Sequence, residues 1–214
     1  MTHSLHRRGS VNSLKDDYVF ITRTVAGLNR TGCGPKLKTI RNILCDVGIS
    51  NTGRMETGEN MAHGLTEEML RADETESPII AASVPSRARI KEIVRRVKEA
   101  DLGLSVTVSG LIDEVLDMCR ELDLQPHTVN LSLGVHGKTE LLPSEDCLEL
   151  TTMCGHALIA SHLADQMQAD VTAGRTDSQA AARQLARPCI CGIFNLTRAE
   201  VLLQGGDDQP TEIA

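Results

Sequence analysis

The chain is 214 residues long, and 29 acidic against 22 Lys and Arg residues leave a formal net charge of -7. At 41% hydrophobic and 24% charged residues it has the apolar material for a packed core of one domain, or one domain with a small appendage, which excludes wholesale disorder. Two Phe, one Tyr and no Trp on an acidic chain offer almost nothing to stack on bases or to grip phosphate backbones, so general nucleic-acid binding is disfavoured.

The first segment, residues 1–16, is a polar arm with no core-forming period; it carries Arg7 and Arg8. Asp17 to Val25 is β-branched and aromatic enough for a strand, and Gly27 to Pro35 turns the chain into a helix with Leu37, Ile40, Ile43 and Leu44 at helical spacing. Gly48 to Gly64, rich in Gly, Asn and Thr, reads as a long loop before a short helix near Thr66 to Ala72. Pro78 to Val84 reads as a buried strand. Ser86 then caps an amphipathic helix whose stripe is Ile90, Ile93, Val94 and Val97. Leu104 to Val108 alternates as a strand, a helix carries Leu111 to Leu122, and Thr128 to Val135 reads as a third strand of a β-α-β-α-β series.

Crossover helices of this length favour parallel strands, so the expected fold is α/β: a small, mainly parallel sheet with flanking helices over residues 17–140, with a ferredoxin-like α+β arrangement as the alternative. Residues 141–205 change character to helix and turn, a Cys-rich segment expected to pack on that core, and residues 206–214 read as a disordered tail. No apolar run approaches the roughly 18 to 20 residues of a membrane span, and Met1 to Arg8 lacks the apolar middle of a secretory signal. A cytoplasmic protein with no membrane partner is therefore expected. Assembly into a homo-oligomer is compatible with the sequence, although its few aromatics supply few anchors.

Seven Cys, an odd number scattered through a chain large enough to fold unaided, point to thiols, metal ligands or core packing rather than a disulfide framework. Four lie in the last third. Cys147 reads as a small buried hydrophobe in an amphipathic turn. Cys154, between Thr152 and Gly155 and ahead of an apolar run from Ala157 to Met167, is expected in the first turn of a helix, where unpaired amides favour thiolate, with His156 beside it. Pro188 ends a helix of Ser178 to Ala186, and Cys189 and Cys191 follow in a tight turn before Gly192. A last helix is expected from Thr197, where Glu200 stands at capping-box spacing. No paired zinc knuckle and no ferredoxin run of Cys is present. Three thiolates, Cys154, Cys189 and Cys191, can hold a [4Fe-4S] cluster with one iron open, or zinc with His156 or His162 as fourth ligand. Cys33, in a Gly-Cys-Gly-Pro turn, is a candidate further thiolate, whereas Cys45 and Cys119 read as core.

The segment Met153-Cys154-Gly155-His156-Ala157 resembles the catalytic thiol motif of the proline racemase and hydroxyproline epimerase family. The resemblance covers about five residues and does not carry the fold. It implies a second mechanism: cofactor-free proton transfer between two thiols, with Cys189 or Cys191 acting from the opposite face. The Gly-rich sequence that family has after its second Cys is replaced here by Ile193-Phe194-Asn195.

The leading functional expectation is a metal-thiolate, iron-sulfur enzyme of lyase, hydratase or redox type acting on a small anionic metabolite. Its metal ligands are Cys154, Cys189 and Cys191. His156 and His136 are the candidate proton donors, His136 because strand ends of α/β sheets gather functional groups. Arg7, Arg8 and Lys138 are the candidate anion-binding residues. The alternatives are the two-thiol racemase or epimerase, with no metal, and a zinc-stabilised regulatory or binding module.

Overall fold

The structure, a computed structural model, describes residues 2–205; the expected disordered tail lies outside the described residues. After a 3-10 turn at Thr2–His6 and the short helix α1 (Val11–Leu14), the chain enters β1 (Tyr18–Arg23) and then α2 (Gly34–Val47). Pro35 occupies the first turn of α2, where its missing N–H costs nothing, and Gly48 at φ 89 ends the helix in a conformation that suits glycine. A tight return follows, β2 (Asn51–Arg54) paired with β3 (Glu59–Asn60), and then α3 (Glu67–Ala72), capped by Thr66. β4 (Ile79–Val84) leads through the Ser86 cap into α4 (Arg87–Ala100), and β5 (Ser105–Ser109) leads into α5 (Ile112–Glu121).

The five strands form one sheet in the order β3-β2-β4-β1-β5, and every neighbouring pair is antiparallel. The mainly parallel sheet expected from the sequence is thereby overturned. Asn51–Arg54 lies inside the stretch read as a loop, has no apolar alternation, and returns the chain beside the place β4 will take. β1 and β2 both run opposite to β4, and β4 and β5 both run opposite to β1, so the two β-α-β units interleave instead of lying side by side. The fold is α+β, with the split β-α-β strand order of ferredoxin-like sheets.

The third expected strand is also corrected. Thr128 to Val135 forms no strand and has no ladder partner, and Gly134 at φ 88 interrupts it. This stretch is part of an exposed ribbon, residues 125–143, that leaves α5 and returns the chain to the sheet.

Each face of the sheet supports a separate core. Tyr18 and Phe20 of β1 with Ile80, Ala82 and Val84 of β4 pack under α2 and α4, against Leu37, Ile40, Ile90 and Ile93. The alternate residues Val19, Ile21 and Ala81 face the other way, onto α6 (Glu145–Thr151), α7 (Ser161–Thr172), α8 (Ser178–Ala186) and α9 (Leu196–Leu203). Helices α6 to α9 thus close the sheet's second face, and both Cys-bearing loops lie in that core. Among the described residues no helix is long and apolar enough to cross a membrane.

Candidate metal-thiolate site

Cys154 stands after the C-terminal end of α6, not in the first turn of a helix. Ala157 adopts φ 54, a left-handed backbone that interrupts helix, so the expected helix from Ala157 begins only at Ser161. The helix-start account of its thiolate is therefore corrected, since Cys154 lies between α6 and α7 and in the first turn of neither. The final helix is likewise capped by Asn195, whose side chain accepts from the Arg198 amide at 3.1 Å, rather than starting at Thr197.

The second loop is seated on the sheet by close backbone approach. α8 ends at Ala186, as the sequence predicts, and the Gly192 amide donates to the Cys189 carbonyl at 3.0 Å to close the turn. Gly192 has φ 69, and a Cβ there would lie 2.1 Å from the Thr52 carbonyl carbon. On β2, a Cβ at Gly53 would lie 2.8 Å from the Ile190 carbonyl oxygen. Only two glycines let this turn and this strand meet. Three side chains then satisfy the loop's buried carbonyls: Asn60 Nδ2 donates to those of Ala186 and Cys189 at 3.0 Å each, while Asn51 Nδ2 and Ser83 Oγ donate to that of Phe194 at 3.2 and 3.1 Å.

The two loops bring three sulfurs and one imidazole together. Cys189 Sγ and Cys191 Sγ are 3.9 Å apart, and Cys191 Sγ is 3.7 Å from His156 Nδ1. Cys154 lies near enough to Cys189 for each thiol to shift the other's proton affinity. All three cysteines are buried, at 2, 0 and 1% exposure for Cys154, Cys189 and Cys191, while His156 is exposed above them.

The three thiols shift one another's proton affinity. The Cys189 thiol favours the Cys191 thiolate, which is held below the ordinary thiol value despite burial. Contact with Cys154 lowers the Cys189 thiol, but Cys191 and burial outweigh it and push that thiol up to about 11. Contact with Cys189, then burial, pushes Cys154 up as well. Main-chain amides nevertheless favour the anionic form of every sulfur: those of Leu158 and His156 at Cys154, of Phe194 at Cys189, and of Ile193 and Cys191 itself at Cys191. Amides so placed are what thiolates bound to a metal require once they leave water.

Two thiolates about 2.3 Å from one tetrahedral ion stand about 3.8 Å apart, and a thiolate and an imidazole nitrogen on that ion stand about 3.6 Å apart. The two observed spacings are close to those values. Among the described residues, however, no group of three or more His, Cys, Asp or Glu side chains forms a complete metal cage. Two of the six distances among these four side chains suit ligands of one ion.

The remaining candidates lie elsewhere or are otherwise engaged. Arg7 is buried, not held out for a substrate: it ion-pairs with Asp17 and donates to the Met153 and Ile193 carbonyls, bolting the arm to both Cys loops. Arg8 pairs with Glu145, and its amide donates to Thr152 Oγ1 at 2.9 Å. His136 and Lys138 lie on the exposed ribbon, and His136 Nε2 contacts the Leu133 carbonyl at 3.0 Å. No strand ends at His136, so the reason for grouping it with the site is gone. His162 is exposed in the first turn of α7. Cys33 is buried in the other core, across the sheet. Cys45 and Cys147 are buried, Cys119 is partly so, and burial pushes all three thiols up, Cys147 to about 11.

Sequence reasoning missed what braces the site. Asp17, fully buried, lies between Arg7 and Arg198, with Arg198 Nη1 3.1 Å and Asn195 Nδ2 3.0 Å from its carboxylate. Burial alone would raise this carboxyl, but Arg7 and Arg198 outweigh it and hold it below the usual value. Asn51 and Asn60 sat in the Gly- and Asn-rich stretch read as a long loop. That composition was the one available signal, and it marked buried amides beneath the CxC turn.

A scan against protein-family models and searches of curated proteins and of solved structures each return no match. The likeness to the racemase motif stays confined to its five residues.

Proposed function

We propose that this chain is a metal-thiolate protein in which Cys154, Cys189 and Cys191 bind one zinc-type ion with His156 as fourth ligand, stabilising a regulatory or binding module. The observation that carries this reading is the ligand-like spacing of two buried sulfurs and one imidazole, in a pocket where backbone amides serve every sulfur. Binding releases the thiol protons, and the amides then neutralise part of the thiolate charge in a site with little access to water. Closure by His156 gives a Cys3His set, a structural type without an open position for substrate. A reducing, cytoplasmic setting would keep these thiols available.

An iron-sulfur centre is the second reading, favoured by three thiolates served by amides with no fourth Cys in the group. Thiolates on different irons stand further apart than thiolates sharing one ion, so the 3.9 Å separation favours the single ion. Two-thiol racemisation would set Cys154 against Cys189 or Cys191 with a substrate carbon between them, and the burial of all three sulfurs argues against a substrate there. An anionic substrate has less support than the sequence suggested, because Arg7 and Arg8 already hold carboxylates.

Elemental analysis of anaerobically purified protein tests the reading. About one zinc per chain, without colour and lost in a Cys191→Ser variant, is expected. Stoichiometric iron and sulfide would replace the single ion with a cluster, and metal-free protein with alkylatable thiols would overturn both.

A further inference from the structure

A second feature, independent of the Cys site, lies at the opposite edge of the sheet. β5 is the last strand, pairs only with β1, and among the described residues makes no backbone ladder on its outer side. Along that open edge runs a cavity of about 830 Å³, walled by β5, by Val115, Leu116 and Cys119 of α5 and by Ser4 and Leu5 of the arm. The ribbon bounds its far side through residues 125–132 without pairing to β5. The ribbon has a strand's alternation, with Val129, Leu131 and Leu133 alternating with Thr128, Asn130 and Ser132, yet Leu131 is 62% and Leu133 87% exposed.

We infer that the β5 edge and the Thr128–Leu133 ribbon are the two halves of an interface between two copies of this chain, each ribbon adding a strand to the other's β5. The chain carries both an edge without a partner and a strand-forming segment without a partner, the two things one ladder requires. Exchange around a two-fold axis satisfies both segments twice over with the same contacts, which is how closed dimers form. Within one chain the two halves face each other across the cavity, so neither satisfies the other. A row of exposed large apolar residues on one ribbon is the kind of surface that marks such an interface. Gly134, in the left-handed region, ends the added strand after Leu133.

Light scattering with size exclusion across a concentration series, on the full chain, tests this, joined to hydrogen exchange at β5. A dimer that dissociates on dilution is expected, with the β5 amides that point away from β1 protected in the dimer and exchanging freely in the monomer. Leu131→Lys with Leu133→Lys should weaken association by at least about a hundredfold, because each copy then fails to bury two leucines. The single Leu133→Lys change, at a position already facing solvent, should act in the same direction without disturbing the fold. A monomer at every concentration overturns the proposal. So does a dimer indifferent to both variants, and so does a monomer in which the β5 amides pointing away from β1 are already protected, which would mean that the ribbon closes on its own strand.

Discussion

Replacing Asp17 by Asn keeps the shape of the side chain and removes the charge on which two buried guanidinium groups converge. The side chains of Arg7 and Arg198 are 6% and 3% exposed and that of Asp17 is fully covered, so neither cation can recover its hydration when the carboxylate goes. Breaking a buried ion pair from one side costs roughly 3 to 5 kcal/mol. Arg7 retains two carbonyls, and Arg198 retains Ser13 and Glu149, which places the expected loss near the lower end, about 3 kcal/mol. With a urea slope of about 2 kcal/mol per molar, the unfolding midpoint should fall by about 1.5 M with little change in slope. The pH dependence supplies a second readout. Because the folded carboxyl lies below its unfolded value of about 3.9, its contribution is complete above that pH and disappears as the pH falls through the folded value. The Asp17→Asn variant should lose this part of the acid sensitivity. A loss of under about 1 kcal/mol, or an unchanged acid limb, would refute the view that the arm is held by a buried charge triad.

Two further predictions concern the site. Gly192→Ala places a methyl group against the Thr52 backbone at a positive φ, so the CxC turn should lift from β2; metal affinity should fall well before the sheet core unfolds, as read by chelator competition against urea melting. In metal-free protein Cys191 should be the first of the three thiols alkylated as pH rises, since its thiolate is favoured while the Cys189 thiol is pushed up to about 11; peptide mapping after a brief pulse near neutral pH checks the order, and Cys154 or Cys189 reacting first would contradict it.

The parts of the fold that repeat a pattern were legible. Ile90, Ile93, Val94 and Val97 marked the buried stripe of α4, Pro188 marked the end of α8, and the last-third cysteines marked the place where two loops meet. What stayed hidden depends on pairing across distance. Asn51–Arg54 is a strand because β4 and β3 flank it, not because of its own side chains, and that short return reverses the sheet from parallel to antiparallel. Thr128–Leu133 shows the converse, a strand pattern without a partner in the same chain. Arg7 looked like a free cation because the sequence does not reveal that Asp17 lies buried beside the Cys loops. The sequence pointed to the four side chains that the structure brings together, Cys154, Cys189, Cys191 and His156, while the supports, Asn51, Asn60, Ser83 and Arg198, act through backbone carbonyls or a buried carboxylate that the sequence does not display.

Cobalt substitution tests the metal-thiolate account most directly. Metal-free protein titrated with Co(II) under reducing conditions should saturate at about one equivalent, with intense sulfur-to-cobalt charge transfer and the strong visible bands of a tetrahedral ion. Changing any one of Cys154, Cys189 and Cys191 to Ser should weaken the charge transfer, and changing His156 to Ala should shift the visible bands while sparing most of it. A weak octahedral spectrum without charge transfer, or a spectrum indifferent to those cysteines, would contradict a shared thiolate site.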